Sequence, residues 1–281
     1  MNAVPAGLGD VDDTPRRAHR GGPATTEVGP DLEIELCGSE RGPSVVLVHG
    51  APDRGSSFRS VLPYVPHLRV VLYDRRGYGR SLALTPARSM LDHAEDLLGV
   101  LDRCQSPGVV IAHSFGSNPA MLAATLRPEA FTALGVWEPP LPWVDWWPPA
   151  TKEVGAAIAR SEDPEGSIEE LYRRLLGDAA WDALPPEVQE QRRAEGVALQ
   201  VDMASELIAP FAFGDVGVPT LVGVGGATSW EHARGAAWLT EQLPDALLHV
   251  VPGAGHFANR THPEEFAQFV RAVLASRGIS E

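Results

Sequence analysis

The sequence predicts an α/β protein: a doubly wound, mostly parallel, eight-stranded sheet that carries a helical cap as an insertion. Three observations predict it. Short β-branched runs alternate with helix-length amphipathic segments, most runs end in a Gly-rich turn, and one Pro- and Trp-rich segment, residues 139–214, breaks the alternation. With 281 residues, 44% of them hydrophobic, the chain has ample material for the core of one large domain.

Residues 1–24 mix Gly, Pro, Thr and charge, including Arg16, Arg17 and Arg20, with no apolar stretch leading to a cleavage site. They read as a disordered leader rather than a secretory signal. The core is expected over 25–138 and 215–277. Thr25–Val28 and Glu33–Cys37 flank the turn Gly29-Pro30-Asp31 and read as a hairpin, the antiparallel start of the sheet. Val45–His49 and Val70–Asp74 are short apolar runs of the kind that form buried parallel strands, with Ser57–Leu62 between them as a short helix. Ser89–Arg103 carries Met90, Leu91, Ala94, Leu97, Leu98 and Leu101 at helical spacing.

A strand at Val109, a helix over Ser114–Arg127 and a strand at Ala133–Trp137 follow. The 139–214 insertion is too long for a loop and too short for an ordinary domain, so it reads as a cap over one end of the sheet. Amphipathic helices are expected there around Ile168–Leu176, Pro186–Leu199 and Val201–Ile208. The sheet resumes with Thr220–Val224, a helix Trp230–Leu243, a strand Leu247–Val251 and a closing helix Glu264–Ser276.

Composition narrows the partners. A formal charge of −14 disfavours nucleic acid and anionic membranes, whose phosphates it would repel. No apolar run approaches the ~20 residues of a membrane-spanning helix. Cys37 and Cys104 stand far apart among ordinary residues, which supports neither a disulfide framework nor a zinc site. The expected partner is a small-molecule substrate, in a cytoplasmic setting, with no metal and with the oligomeric state open.

The chemistry concentrates at strand ends. Val109-Val110-Ile111-Ala112-His113 runs into Ser114-Phe115-Gly116 and then the helix-like Asn118–Ala124. A serine hydroxyl is a poor nucleophile unless a sharp turn projects it toward a base, and such a turn tolerates only small neighbours, here Ala112 and Gly116. An N-capping serine is the plain alternative. His256, in Gly253-Ala254-Gly255-His256-Phe257 after the last strand, is the candidate base, presented at the same sheet edge. His49-Gly50-Ala51-Pro52 ends an earlier strand. A tetrahedral intermediate needs two preorganised N–H donors, and the backbones of Ala51 and Phe115 are the candidates. His49 and His113 read as supports for these loops. Tyr73–Ser81, with its glycines and charges, reads as scaffold.

Together, the H-G-x-P-type loop, the D-x-R-G-x-G-x-S turn, the A-H-S-x-G elbow and the G-x-G-H-F loop, in that order, resemble the α/β-hydrolase family over about residues 25 to 277. The similarity is specifically to its capped esterase and lactonase-like branch. It implies a cofactor-free enzyme whose Ser114 attacks a carbonyl, forming an acyl-enzyme that water then cleaves. One departure stands out. Relatives usually carry an Asp in a P-T-L-V-x-x-G-x-x-D pattern, whereas here Pro219–Ala227 leads to Thr228.

The acid that orients His256 must therefore lie elsewhere, or be missing. Glu231 follows Thr228 by three residues, and Thr-Ser-Trp-Glu before a helix is a capping box that explains both residues structurally. Glu138 ends the strand Ala133–Trp137 immediately before Pro139-Pro140 and is the favoured candidate, since haloalkane dehalogenases look similar in placing their acid there. An unaided His256 is the third possibility.

The favoured reading is a serine hydrolase acting on a small to medium, largely apolar ester or lactone beneath the cap, with Trp143, Trp146 and Trp147 as candidate pocket residues. A cofactor-free lyase, acyltransferase, haloperoxidase or C–C hydrolase on the same fold is the alternative, and a non-catalytic small-molecule binder the less favoured one.

Overall fold

The computed structural model describes residues 32–104 and 108–279. The expected leader, residues 1–24, and the expected first strand, Thr25–Val28, lie outside them. Seven strands are present among the described residues: β1 (Ile34–Gly38), β2 (Ser44–Val48), β3 (Arg69–Tyr73), β4 (Gly108–His113), β5 (Phe131–Trp137), β6 (Thr220–Gly225) and β7 (Ala246–Val251). They form one sheet in the order β1-β3-β2-β4-β5-β6-β7, with β1 antiparallel to β3 and every other pairing parallel.

Parallel pairing explains the uninterrupted apolar runs, because helices cover both faces. On one face Val46, Val48, Val71 and Tyr73 pack with α1 (Met90–Arg103), α2 (Ser117–Leu126) and α8 (Trp230–Gln242). On the other, Val45, Leu47, Val70 and Leu72 meet Phe266, Phe269 and Val270 of α9 (Pro263–Ala275). Alternate residues of β2 and β3 thus feed two separate cores, the period of two expected of a strand.

The chain runs from β2 outward to β3 and then returns to β4 on the opposite side of β2. That reversal opens a crevice at the carboxyl ends of β2 and β4, where ligands of open α/β sheets bind. Between β5 and β6 five helices form a helical cap: α3 (Pro149–Ala159), α4 (Pro164–Leu176), α5 (Asp178–Asp182), α6 (Pro186–Ala194) and α7 (Gly196–Ser205). Ile158, Ile168, Tyr172, Trp181, Leu184 and Leu199 give the cap its own small core.

Two local expectations differ from the structure. Ser57–Leu62 forms no α-helix but lies across two short 3-10 turns, Gly55–Phe58 and Leu62–Tyr64, because Pro63 and Pro66 deny the donors and geometry a regular helix needs. The expected cap helices Pro186–Leu199 and Val201–Ile208 divide instead at Glu195. A β-carbon at Gly196 would stand 2.3 Å from the Pro164 carbonyl oxygen, so α7 starts at a glycine where it crosses the beginning of α4.

Cap and core are joined by buried charge. Glu195 pairs with Arg54 at 2.5 Å and Asp202 with Arg75 at 2.8 Å. Tyr78 donates its hydroxyl to Asp202 at 2.7 Å, and the His93 ring meets the same carboxylate at 2.9 Å. Burial alone would raise Asp202, yet Arg75 and His93 hold it well below the usual carboxylate range.

Candidate active site

β4 is buried along its whole length and ends abruptly at Ser114, whose φ is +52°. Left-handed backbone is rare away from glycine and costs energy that the surroundings must offset. Ser114 is held there by close packing: a β-carbon at Gly116 would approach the His49 carbonyl oxygen to 2.4 Å, and Ser117 donates its hydroxyl back to the Ala112 carbonyl at 3.0 Å. The other non-glycine residue with positive φ among those described is Glu138, at +46°, one residue past the end of β5. Both strained residues stand at the carboxyl ends of adjacent strands.

His256 lies between them. Its Nε2 is 3.0 Å from Ser114 Oγ and its Nδ1 is 2.9 Å from Glu138 Oε2. Glu138 is fully buried and accepts two more bonds, from the Gly225 N–H at 2.8 Å to Oε1 and from the Thr228 hydroxyl at 2.8 Å to Oε2. Burial pushes this carboxyl up, but the His256 hydrogen bond and charge, with His232 and the Gly225 N–H, outweigh it and leave Glu138 below its ordinary range. An ionised Glu138 can only accept. Nδ1 of His256 is therefore the donor, and the Nε2 lone pair faces the Ser114 hydroxyl.

The Thr228 bond overturns the expected capping box. Ser229, not Thr228, occupies the cap position of α8, no side chain caps that helix, and Thr228 turns its hydroxyl to the buried carboxylate instead. Glu231 lies on the cavity wall.

Opposite this chain of groups runs the loop after β2. A β-carbon on Gly50 would fall 2.9 Å from Ser114 Cβ, so only glycine lets the loop approach the serine this closely. His49 Nε2 accepts from the Arg75 N–H at 2.8 Å, which leaves Nδ1 to donate to the Gly50 carbonyl at 2.8 Å. Burial, then the Arg75 charge, lowers His49 to about 4. Arg75 also donates to the Gly50 carbonyl at 2.8 Å. The charged turn after β3 thus ties the Gly50 loop to cap residue Asp202. Ala51 and Phe115 both border the cavity beside Ser114.

Two further histidines complete the setting. His113 Nε2 donates to the His256 carbonyl at 2.7 Å, and Trp137 Nε1 donates to the same oxygen at 3.2 Å. His232 stacks on His256 with ring centroids 4.4 Å apart and planes at 17°, and presents itself edge-on to Trp147 at 5.6 Å. Burial, then the charge on His256, lowers His113 to about 4 and His232 to about 3, so both are neutral partners at pH 7. The sequence offers no motif around His232; only the packing of α8 against the β7 loop brings it here. Glu138, His232 and His256 have ligand atoms within 4.8 Å of one another. The two rings are nearly parallel, however, so their in-plane lone pairs do not converge on one ion, and the trio fits a hydrogen-bonded and stacked array better than a metal centre.

The site opens into a cavity of about 630 Å³ between cap and sheet, within the usual range for small-molecule sites. Its cap wall is largely apolar, with Val154, Ile158, Leu171, Leu175 and Leu176 among the contributors. Of the three tryptophans expected there, Trp147 borders the cavity. Trp143 and Trp146 do not: Trp143 stacks on Phe213 at 6.4 Å, and Trp146 packs against Trp238 at 6.0 Å beneath Arg234. Clustered along an irregular segment, the three rings diverge, and Trp146 fastens the cap segment to α8 of the core.

Residues 45–269 match the Alpha/beta hydrolase family, and the chain belongs to that family. It is 28% identical over 260 residues to the pimeloyl-[acyl-carrier protein] methyl ester esterase of Chromobacterium violaceum, covering 88% of this chain and 99% of that one. It is 29% identical over 307 residues to the polyketide synthase ThaQ of Burkholderia thailandensis; that match covers 97% of this chain but only 14% of the much longer synthase. Among solved structures, a thermophilic esterase from Thermogutta terrifontis superposes with a TM-score of 0.67 at 25% identity, over 92% of this chain and 99% of that one. The chain is therefore a capped hydrolase of this family. Among the described residues no helix is long and apolar enough to cross a membrane.

Proposed function

We propose that the protein is a serine hydrolase that cleaves a small to medium, largely apolar ester or lactone through an acyl-enzyme on Ser114, with His256 as base and Glu138 as the acid. The observation that carries this reading is the continuous hydrogen-bond chain from Ser114 Oγ through His256 to Glu138, at 3.0 and 2.9 Å, facing a largely apolar cavity. In this mechanism Ser114 Oγ attacks the carbonyl carbon as its proton passes to His256 Nε2. Glu138 holds the correct tautomer and stabilises the imidazolium. The developing oxyanion is met by the backbone N–H groups of Ala51 and Phe115. Collapse expels the alcohol, which takes the proton from His256, and water then attacks the acyl carbon by the same route in reverse.

Residues 139–214 serve as the cap that excludes bulk water from this chemistry. The esterase relatives favour an ester substrate over other carbonyl compounds. The two cysteines are free, which fits a reducing, cytoplasmic setting. The test is labelling with a fluorophosphonate probe beside a turnover screen of acyl esters and lactones, with Ser114→Ala as the blank. We expect one adduct, on Ser114, and turnover that the blank lacks. Absence of an adduct under conditions that label a control esterase, with no turnover across the screen, would overturn the assignment.

A further inference from the structure

Glu206 is a buried carboxyl group for which the mechanism above has no use. It follows α7 directly, is 5% exposed, and borders the cavity. Its contact is with Asn118, one helical turn beyond Ser114 on α2. Asn118 Nδ2 donates to the Pro140 carbonyl at 3.0 Å and to Glu206 Oε1 at 3.0 Å. A carbonyl oxygen can only accept, so the Pro140 contact fixes which end of the Asn118 amide faces Glu206. Oε1 is therefore an acceptor, and any proton on the carboxyl group resides on Oε2. Among the described residues no protein partner is recorded for Oε2.

The surroundings favour that proton. Burial and then the Asp202 carboxylate, one turn earlier on α7, push Glu206 well above the usual range, against the weaker pull of Asn118 and Arg75. Arg75 is already committed to Asp202 and to the Gly50 carbonyl. Lys152, the sole lysine of the chain, also borders the cavity but directs its ammonium to the Val144 carbonyl at 2.6 Å. Neither cation neutralises Glu206. Oε2 is not among the sealed, unpartnered polar atoms but is reachable from the cavity, where a substrate oxygen can take the place of water as its acceptor.

We propose that Glu206 is a specificity-determining residue whose Oε2–H donates to an acceptor oxygen of the substrate other than the scissile carbonyl, so that the site selects esters bearing a keto, ether or second ester oxygen over hydrocarbon esters of equal length. The proposal rests on the ester-hydrolase reading and deepens it. It adds one polar requirement to a pocket whose other cap contacts are apolar.

The test compares matched ester pairs, with a CH₂ replaced by C=O or O at successive positions of the acyl and alcohol parts, followed by acid release in a pH-stat. For the wild type, at least one position should raise kcat/KM over the hydrocarbon partner by roughly three- to tenfold, the value of one neutral hydrogen bond. Glu206→Gln keeps a donor in the same place and should retain the preference. Glu206→Met removes the donor at similar volume and should bring the ratio near one. A merely structural Glu206, tethering α7 through Asn118, would lower turnover of both members of each pair and leave the ratio intact, which would overturn the proposal; so would a Gln variant as unselective as Met. Affinities of the corresponding ketone, ether and alkane ligands for Ser114→Ala, with and without Glu206→Met, read the same ratio without turnover. A wild-type preference in binding with no ester hydrolysis would therefore sink the catalytic reading alone, and ester hydrolysis without any preference would sink this one alone.

Discussion

Replacing Glu138 by Gln tests the proposed acid at a single atom. Oε1 accepts from the Gly225 N–H, which can only donate, so the oxygen of a glutamine must stay there. The new NH₂ then occupies the place of Oε2, facing the Thr228 hydroxyl and His256 Nδ1. The hydroxyl can rotate and accept. The imidazole can accept at Nδ1 only by moving its proton to Nε2, which removes the lone pair opposite Ser114 Oγ. The base is then in the wrong tautomer, and kcat should fall by about 10⁴, or about 5 kcal/mol of transition-state stabilisation. Side-chain volume and the left-handed backbone are unchanged, so thermal melting should move by only a few degrees. Thr228→Val is the graded control: it removes one of three bonds to the carboxylate and leaves the tautomer alone, so kcat should drop by less than about tenfold. Steady-state hydrolysis of a p-nitrophenyl ester, with circular dichroism as the check on folding, reads all three proteins. A folded Glu138→Gln enzyme within tenfold of wild type would refute the reasoning.

Gly50→Ala sets a β-carbon 2.9 Å from Ser114 Cβ; the loop must withdraw, and kcat/KM for the same ester should fall by roughly 10²-fold, since misplacement by about 1 Å is costly. Asp202→Ala leaves Arg75 buried without its carboxylate, and urea unfolding should register a loss of about 3–5 kcal/mol; a loss under 1 kcal/mol would mean the cap is held by other contacts. Mild acid reaches the histidines of the unfolded chain before its carboxylates. His49 and His113 are buried and lowered to about 4, so below pH 6.5 the unfolded chain binds protons that the folded one refuses. The contribution of each histidine is full above that value and falls by about 1.4 kcal/mol per pH step until pH 4, while Glu206, raised well above its ordinary range, keeps its proton in the fold and acts with the opposite sign. The change in unfolding free energy between pH 7.5 and 5.5, read from urea titrations, should differ by about 1.4 kcal/mol between the wild type and His113→Gln, the share of that one histidine; an identical change in the two proteins would refute a neutral buried His113.

What the sequence made legible follows the range of the forces involved. Strands β2 to β6 announce themselves because burial on both faces demands uninterrupted apolar runs, and Ser114 and His256 because a sharp turn and a Gly-rich loop are local requirements written in neighbouring residues. Glu138 was accessible by position, as the last residue before Pro139-Pro140. Partners brought together only by packing were not. Asp202 and Arg75 are separated by 127 positions, and nothing near either announces the other. His232 reaches His256 through the docking of a whole helix. Thr228 illustrates direct competition: its local pattern favours a helix cap, but a buried carboxylate without enough donors outbids the end of an exposed helix.

The register of the sheet explains why an acid from β5 suits this site. His113 and Trp137 are partners across the β4–β5 ladder, so the residues that follow them, Ser114 and Glu138, leave the sheet at the same level. Each does so in a left-handed conformation, and both side chains turn toward the loop after β7. The preceding residues act on that loop as well: His113 and Trp137 donate to the backbone carbonyl of His256, while Ser114 and Glu138 meet the two nitrogens of its ring. Two consecutive residues from each of two adjacent strands therefore grip one histidine at its backbone and at its imidazole. An acid after β6 would reach only the ring, from a strand that does not bond the His256 carbonyl. With the proposed acid on β5, the β6 end is free to contribute donors, and the Gly225 N–H and Thr228 hydroxyl both donate to the Glu138 carboxylate. The backbone strain at Ser114 and Glu138, on the order of 1–3 kcal/mol each, is confined to the two residues whose side chains must hold the same ring from opposite sides.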